Sequence, residues 1–392
     1  MVSLRWGGLA ARAVYLMSIR GQHAERASAD NSLEAAKALQ GWYDSPSGLW
    51  KTTGWWNSAN CLTVLTDWAL NAGSAAQNLD VRGIISNTYG GAQRVSVTAQ
   101  KTLSATGLTN SSYQFQAASK RGFSEFLNDY YDDEGWWALA LIRSWDVTHE
   151  QAYLNMAEHI FRDMQAGTDG TCGGGLWWSK EKAYKNAIAN ELYLSIAASL
   201  ANRISSRKAE YTQIAKDQWA WFKKSGMINK NNLINDGLKI NSDGSCVNNG
   251  MQTWSYNQGV VLGGLAELSK ATGDSSYLNQ AATIAKAAIA LLSDENGIIR
   301  EVDKCEPKCG ADGSQFKGIF VRNLHYLHKA APQDAFRTAI QKNANSIWSK
   351  DRNSKNQLGI KWTGPPDLGD GPNASTHSSA MDVIVAALAV GV

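Results

Sequence analysis

The chain has 392 residues, of which 44% are hydrophobic and 19% are charged, and its formal net charge is +3. This length allows one large domain or two of ordinary size, with a sizeable core. The small net charge and the lack of a Lys/Arg stripe argue against a nucleic-acid partner.

The first 30 residues differ from the rest, and we interpret residues 1–30 as a leader or a disordered N-terminal segment. A modestly apolar run from Gly7 to Ile19 is interrupted by Arg12, whereas a secretory signal has a cleaner apolar centre. No apolar span of about 18 residues occurs elsewhere, so we expect no transmembrane segment. Residues 31–392 are predicted to form a single domain.

From residue 31 onward, helical patterns alternate with loops rich in Gly, Asn and Asp. The predicted helices are 33–42, 57–72, 114–127, 136–146, 151–165, 184–205, 209–224, 254–272, 277–292, 319–330, 334–349 and 375–389. Short connections alternate with long, Gly-rich ones, which favours a closed toroid of helical hairpins around a central cleft. A solenoid of two-helix repeats is the alternative, although no fixed-period consensus is present.

Five cysteines indicate an oxidising compartment. Cys172 and Cys246 lie in loops and are candidates for a disulfide. Cys305 and Cys309 either close a small disulfide or flank a turn as free thiols. Cys61 lies in an apolar helical run and is predicted to be a buried free thiol.

Two Asn-X-Ser sequences, at Asn110 and Asn373, are candidate N-glycosylation sites. They fit the same compartment, and we expect a secreted or cell-wall protein.

Residues 128–137, NDYYDDEGWW, carry the strongest functional signal. Two adjacent carboxylates, Asp132 and Asp133, lie between a tyrosine pair and a tryptophan pair. Like charges repel, and nearby rings remove the water that would screen them, so a purely structural role is costly. The pattern suits glycoside hydrolysis, which uses a carboxylic acid and a carboxylate beside a sugar. The structural alternative is that Asp132 caps a helix beginning near Glu134.

Tryptophan is unusually frequent, with 16 Trp against 8 Phe. Its polar N–H suits a wet cleft better than a dry core. Three Trp pairs, at 55–56, 136–137 and 177–178, each lie near Asp, Asn or Gly. This recurrence favours a carbohydrate-binding cleft.

Amide side chains cluster near predicted helix starts. Asn57 and Asn60 share a helical face, although Asn57 also fits a helix N-cap. Asn186 and Asn190 need partners in a packed helix, and both sugar hydroxyls and loop backbone would serve. The three glycines before the third Trp pair either let the backbone approach a ligand or form an ordinary turn. Asp236 also fits a plain turn.

Five motifs occur in order along the chain: TTGWWNSAN, YYDDEGWWALALIR, GGGLWWS, YKNAIANELYL and TWSYNQGV. Together they resemble glycoside hydrolase family 76, which comprises endo-acting α-1,6-mannanases and the related fungal cell-wall proteins of the Dfg5/Dcw1 type. The motifs cover about residues 50–263, and the helical pattern extends the likeness to the C terminus.

The resemblance implies an all-α fold, an (α/α)6 barrel, and a retaining mechanism with Asp132 as the nucleophile and Asp133 as the general acid/base. Asp133 must hold a proton, so its pKa should be raised by burial and by the charge of Asp132. We expect no cofactor, and no His, Cys and carboxylate cluster is spaced for a metal. The predicted substrate-binding residues are Asn57, Asn60, Trp56, Tyr131, Trp136, Trp137, Trp177, Trp178, Lys185, Asn186, Asn190, Asp236, Trp254, Tyr256 and Asn257.

Three functions fit the resemblance. The first is hydrolysis of an α-1,6-mannan backbone, and the second is transglycosylation that joins mannosylated GPI-anchor glycans to wall glucan. The third is a non-catalytic carbohydrate-binding scaffold, against which the presence of both aspartates argues. Residues 383–392 look like the end of the last helix rather than a GPI signal. We therefore expect a soluble monomer whose partner is α-1,6-mannan or a mannosylated glycan.

Overall fold

The computed structural model describes residues 28–93, 95–103, 109–117 and 125–392. The N-terminal segment that the sequence sets apart, residues 1–30, lies outside the described residues except for 28–30, which are helical. Among the helices of these residues, none has the length and apolar character needed to cross a bilayer.

Twelve α-helices account for most of the described chain. Their bounds are 28–39 (α1), Trp55–Asn71 (α2), Val81–Ala92 (α3), Tyr131–Thr148 (α4), Gln151–Ala166 (α5), Ala187–Ala201 (α6), Lys208–Ser225 (α7), Ser255–Thr272 (α8), Ser276–Leu292 (α9), Gly310–Ala330 (α10), Asp334–Lys350 (α11) and Ala374–Val390 (α12).

The even-numbered helices form a closed inner ring. Each packs against the next, from α2 through α4, α6, α8 and α10 to α12, and α12 packs against α2. The odd-numbered helices lie outside this ring. Burial explains the division, because all 15 residues of α6 are buried whereas α5 buries only one face. The predicted (α/α)6 barrel is confirmed.

Long and short connections alternate, as the sequence predicts. Long segments lead into the inner helices, among them 93–130, 167–186 and 226–254, whereas inner helices pass to outer ones through short links such as 149–150. The N-termini of the inner helices consequently share one rim. Helix N-termini carry partial positive charge and free N–H groups, so this rim is suited to hold carboxylates.

Three two-stranded hairpins complete the described structure. Tyr43–Asp44 (β1) pairs with Leu49–Trp50 (β2), Val95–Leu103 (β3) with Thr109–Ala117 (β4), and Leu238–Ile240 (β5) with Cys246–Asn248 (β6).

The predicted helix over 114–127 is wrong where it can be compared. Residues 114–117 belong to β4, residues 118–124 lie outside the described chain, and 125–126 form a turn. The reason is an alternation of period two, in which Gln100, Thr102, Ser112 and Gln114 are exposed while the side chains between them face the barrel. A single strand of this kind has no apolar stripe, so its partner strand decides the fold.

Three inner helices begin three or more residues away from the predicted start. The helix α4 begins at Tyr131 rather than 136, and α10 begins at Gly310 rather than 319. Both starts were missed because their first turns carry acidic and small residues instead of an apolar pattern. Conversely, α6 begins at Ala187 rather than 184, since Asn186 is its N-cap and accepts from the N–H of Ala189.

Both candidate disulfides are present, Cys172–Cys246 and Cys305–Cys309, and Cys61 is a buried free thiol as predicted. Of the two predicted glycosylation sites, Asn110 lies on β4, and Asn373 caps α12 through its side-chain oxygen.

Replacing Cys172 and Cys246 together with Ser is expected to lower the free energy of unfolding by about 4 kcal/mol, because the bridge restricts a long loop of the unfolded chain. The two cysteines are 74 residues apart. Cys305 and Cys309 are only 4 apart, so their double Ser variant is the matched control, with an expected loss of about 2 kcal/mol. Urea unfolding of both variants measures the difference, and equal losses would contradict the loop-length explanation.

Candidate active site

Asp132 and Asp133 lie in the first turn of α4, at the rim where the inner helices begin. Asp132 is not the helix cap, because Tyr130 occupies the N-cap position and the helix already includes Tyr131. The Oδ1 atom of Asp132 accepts a hydrogen bond from the backbone N–H of Asp133 at 3.0 Å. The free N–H groups of the first turn thus favour negative charge at this place.

Fixed donors hold the outer oxygens of both carboxylates. The indole N–H of Trp178 donates to Oδ2 of Asp132 at 2.9 Å. The side-chain amide of Asn128 donates to Oδ2 of Asp133 at 2.8 Å. The two groups therefore have defined orientations before any ligand arrives.

The inner oxygens share one cation, Lys101 of β3. Its Nζ lies 3.0 Å from Oδ1 of Asp132 and 2.5 Å from Oδ1 of Asp133. Since both oxygens contact one nitrogen, they lie at most about 5.5 Å apart, so the separation is below the roughly 6.5–9.5 Å between the carboxyl groups of inverting glycosidases. The Nζ atom also lies 4.8 Å from the ring centre of Tyr130 and 5.7 Å from that of Trp178.

The turn before α4 is held by side-chain contacts. The backbone N–H of Asn128 donates to Oε1 of Glu134 at 2.9 Å, and Oδ1 of Asn128 accepts from the N–H of Tyr130 at 2.8 Å. The N–H of Tyr131 donates to the carbonyl of Trp178 at 3.0 Å. These bonds fix the loop that carries Trp178 against the start of α4, which places its indole beside Asp132.

Burial raises the pKa of Asp133 to about 7, although nearby Lys101 lowers it, while Asp132 adds to the increase. The prediction that burial and the charge of Asp132 raise this pKa is confirmed. Near neutral pH, Asp133 is thus able both to give and to accept a proton.

A third carboxylate, Asp236, is buried and lies close enough to Asp132 to be affected by its charge. The hydroxyl of Tyr184 donates to its Oδ2 at 2.5 Å. Burial raises the pKa of Asp236 to about 7, the Tyr184 hydrogen bond lowers it, and Asp132 raises it. Nearby, Tyr256 stacks on Phe316 with ring centres 3.9 Å apart. Asp236 thus lies beside a pair of stacked aromatic rings.

A fourth carboxylate, Asp312, lies in the first turn of α10. It is 3% exposed and accepts a hydrogen bond from the indole N–H of Trp56 at 2.8 Å. Trp56 stacks on Trp136 with ring centres 5.4 Å apart. The first two Trp pairs therefore meet in space, and Asp312 fixes the orientation of Trp56.

Several predicted substrate-binding residues make contacts within the protein. The Nζ atom of Lys185 donates to Asp169 and to the carbonyls of Thr171, Gly174 and Gly175 at 2.8–3.0 Å. This pins the glycine loop before the third Trp pair.

The amide of Asn190 bonds both backbone groups of Leu176, the carbonyl of Asn186 and the side chain of Gln218. Of the two interpretations that the sequence left open, this arrangement favours loop backbone as its partner. Asn60 likewise accepts from Arg322, which is paired with Asp382.

Other predicted residues lie in the core or at helix starts. Trp137 is fully buried against Trp55, and Trp254 is 1% exposed at the N-cap of α8. Asn57 is not an N-cap, since α2 begins at Trp55, and its amide donates to Gln315 at 2.9 Å.

The remaining predicted residues lie beside other acidic residues or at the start of α4. Trp177 donates to Asp169 at 2.7 Å, Asn257 borders Asp236, and Tyr131 follows the N-cap of α4.

A cavity of about 800 Å³ opens at this rim between the starts of α2, α10 and α12. Thr53, Gly54, Lys308 and Asp370 line it, and Tyr113 of β4 forms one side. Asp132 and Asp133 are not among its lining residues, whereas Ser111 of β4 is.

Sequence reasoning missed Lys101, Asp312 and Tyr184. Lys101 lies in a segment rich in Ser, Thr and Gln, without a motif around it. Asp312 follows Cys309-Gly310, and a helix start at this glycine was the available signal. Tyr184 opens the motif YKNAIANELYL, but nothing local indicates that its hydroxyl reaches Asp236.

The chain is similar in sequence to known proteins. The sequence model described as Glycosyl hydrolase family 76 matches residues 26–391. The chain is 28% identical over 288 residues to the mannan endo-1,6-alpha-mannosidase DFG5 of Candida albicans. That match covers 67% of this chain and 61% of the relative, so the chain spans about three-fifths of the relative's length.

Solved structures share the fold. An inactive variant of the α-1,6-mannanase GH76A of Salegentibacter, in complex with α-1,6-mannotriose, superimposes with a TM-score of 0.74 at 20% identity, covering 93% of this chain and 100% of that one. Dfg5 from Chaetomium thermophilum, in complex with glucosamine, gives a TM-score of 0.73 at 17% identity, covering 93% and 90%.

Proposed function

The chain belongs to glycosyl hydrolase family 76, and on that premise we propose that it is a retaining, endo-acting hydrolase of α-1,6-mannosidic linkages in mannan backbones. The observation that carries the proposal is the catalytic pair, two adjacent carboxylates in one helix turn beside aromatic rings. The two disulfides support an extracellular or cell-wall location.

In the first step, Asp132 attacks the anomeric carbon and forms a mannosyl ester, while Asp133 gives its proton to the leaving glycosidic oxygen. Asp132 is suited to attack because the indole of Trp178 and the N–H of Asp133 hold its carboxylate. Asp133 is suited to donate because burial raises its pKa to about 7.

In the second step, Asp133 takes a proton from water, whose oxygen attacks the anomeric carbon and breaks the ester to Asp132. The anomeric configuration is retained after two inversions. Asp236 and the Trp56–Trp136 stack flank the pair, and we assign them to binding of the sugar.

Product analysis on linear α-1,6-mannooligosaccharides tests the proposal, with and without a glucan oligosaccharide as acceptor. Shorter mannosides in both reactions support the hydrolase. Products longer than the donor, or mannosyl-glucan hybrids, would instead support transglycosylation. Binding of mannosides without any turnover would indicate a scaffold.

The activity is expected to fall as the pH rises through about 7, because the protonated form of Asp133 is the competent acid and burial places its pKa there. Above that pH, kcat/KM should decrease about tenfold per pH unit. A pH profile on an α-1,6-mannooligosaccharide measures this limb. With a dinitrophenyl leaving group, which needs no proton, the limb should disappear, and its persistence would argue against Asp133 as the acid.

A further inference from the structure

The β3–β4 hairpin occupies the space directly in front of the catalytic pair. Its inward face presents Ala99 and Lys101 of β3, paired across the ladder with Tyr113 and Ser111 of β4. The side chain of Lys101 is only 2% exposed, with its amine between the two catalytic carboxylates. The hairpin therefore puts a buried positive charge at the reacting centre.

This position conflicts with catalysis. A sugar's anomeric carbon must come within about 3–3.5 Å of the attacking oxygen of Asp132. The nitrogen of Lys101 is already 3.0 Å from Oδ1 of Asp132, and Oδ2 is held by Trp178. Oδ1 and Oδ2 of Asp133 are likewise held by Lys101 and Asn128. The amine of Lys101 therefore occupies the space between the two carboxylates that the anomeric carbon would take.

The positive charge of the Lys101 amine also resembles the charge that the site must stabilise during catalysis. The transition state of glycoside cleavage carries positive charge on the sugar ring, which the carboxylates stabilise. Burial lowers the pKa of Lys101, but Asp132 and Asp133 raise it by more, so the amine is charged at neutral pH. Asp312 raises the pKa of Lys101 as well. Lys101 thus takes the place of the cationic sugar.

The remainder of the hairpin packs against the barrel and is not part of its core. A Cβ at Gly54 would lie 2.7 Å from the ring of Tyr113, which shows how closely this ring sits on the start of α2. The outward face, by contrast, consists of exposed polar residues such as Gln100 and Ser112. The β4 strand packs against α10, whereas the ring of six inner helices is closed by direct contacts between the helices themselves.

We propose that the β3–β4 hairpin is an autoinhibitory strap, in which Lys101 seals the catalytic pair and turnover requires the hairpin to withdraw. The inference rests on the proposed function, since it takes Asp132 and Asp133 as the catalytic pair. When the hairpin withdraws, Asp132 and Asp133 lose their contacts with Lys101 and become free to contact the sugar. The seated hairpin therefore competes with substrate and lowers its apparent affinity.

The test compares Lys101→Ala with the wild type in kcat/KM on α-1,6-mannotetraose. Loss of two charge-assisted contacts should raise kcat/KM by about tenfold or more, mainly through a lower KM. Lys239→Ala is the matched control, because Lys239 is an exposed lysine on the β5–β6 hairpin, and it should match the wild type. A lower kcat in Lys101→Ala would overturn the proposal and make Lys101 a positioning residue of the active pair.

A second measurement needs no substrate and separates failure of the strap from failure of the proposed function. Carbodiimide labelling of Asp132 and Asp133, read by mass spectrometry, should increase in Lys101→Ala, and amide exchange of 95–103 and 109–117 should become faster. If labelling rises but neither protein cleaves the mannoside, the autoinhibitory role of the hairpin is supported and the proposed hydrolase function is contradicted. If mannoside is cleaved and both labelling and exchange are unchanged, the strap is overturned.

Lys101→Gln guards against misfolding of the Ala variant. It keeps the length and hydrogen-bonding capacity of the side chain and removes its charge. The same rise in kcat/KM and in labelling is expected. Wild-type values for both quantities in this folded variant would overturn the role of the charge.

Discussion

Replacing Asp132 with Asn is expected to lower kcat by about 10⁴-fold or more, since the amide cannot form the mannosyl ester. The side chain keeps its size and one oxygen that accepts from Trp178 or Lys101, and Lys101 keeps its contact with Asp133. The thermal unfolding midpoint should therefore change little. The measurement is turnover of α-1,6-mannotetraose together with the melting temperature.

Asp129→Asn is the matched control for this variant. Asp129 lies three residues earlier, in the same segment, and is half-buried. The same chemical change at this position should leave kcat near the wild-type value. Near-normal turnover by a folded Asp132→Asn protein would falsify the assignment of the nucleophile.

Replacing Asp133 with Asn is expected to give a loss that depends on the leaving group. With a natural mannoside, kcat should fall by about 10³-fold, because general acid catalysis contributes between about 10² and 10⁴. With a dinitrophenyl α-1,6-mannobioside, formation of the ester needs no proton, so the first step should remain fast. A burst of dinitrophenol followed by slow turnover is the expected signature, since the second step still lacks its base.

The two variants together separate the two roles. Asp132→Asn should show neither a burst nor turnover with either substrate. If Asp133→Asn loses the burst as well, and Asp132→Asn retains it, the roles of the two carboxylates are exchanged. Equal losses with both substrates in both variants would indicate that neither residue acts as a separate acid.

The pair Asp132 and Asp133 could be singled out from the sequence because its signal is local. Adjacent acids between aromatic pairs stand out in ten residues, and a helix start brings both acids to one turn. The inner helices were visible for the same reason, since a segment that is buried all round, such as α6, is mainly apolar. The cysteines were also informative, because loop cysteines in an oxidising compartment tend to pair.

Which residues surround the pair was decided only by the tertiary structure. Lys101 is 31 residues from Asp132 in the chain, and its polar neighbours predict nothing about where its amine points. Asp312 reaches Trp56 across 256 residues, and only closure of the barrel brings α10 beside α2. Such contacts depend on how distant elements pack, and no periodicity within either element encodes them.

The same limit explains why some predicted sugar-binding residues contact the protein backbone instead. Lys185 and Asn190 were predicted to bind the sugar because they are polar residues in an otherwise apolar segment. A buried polar group needs a hydrogen-bond partner, so the sequence correctly indicated that both residues have one. The structure supplies these partners from the glycine loop before the third Trp pair. Sequence determined which polar groups must be satisfied, because burial of an unpaired polar group is costly anywhere. Tertiary packing decided whether the backbone or a ligand satisfies them, because only the folded chain fixes which of the two lies within hydrogen-bonding distance.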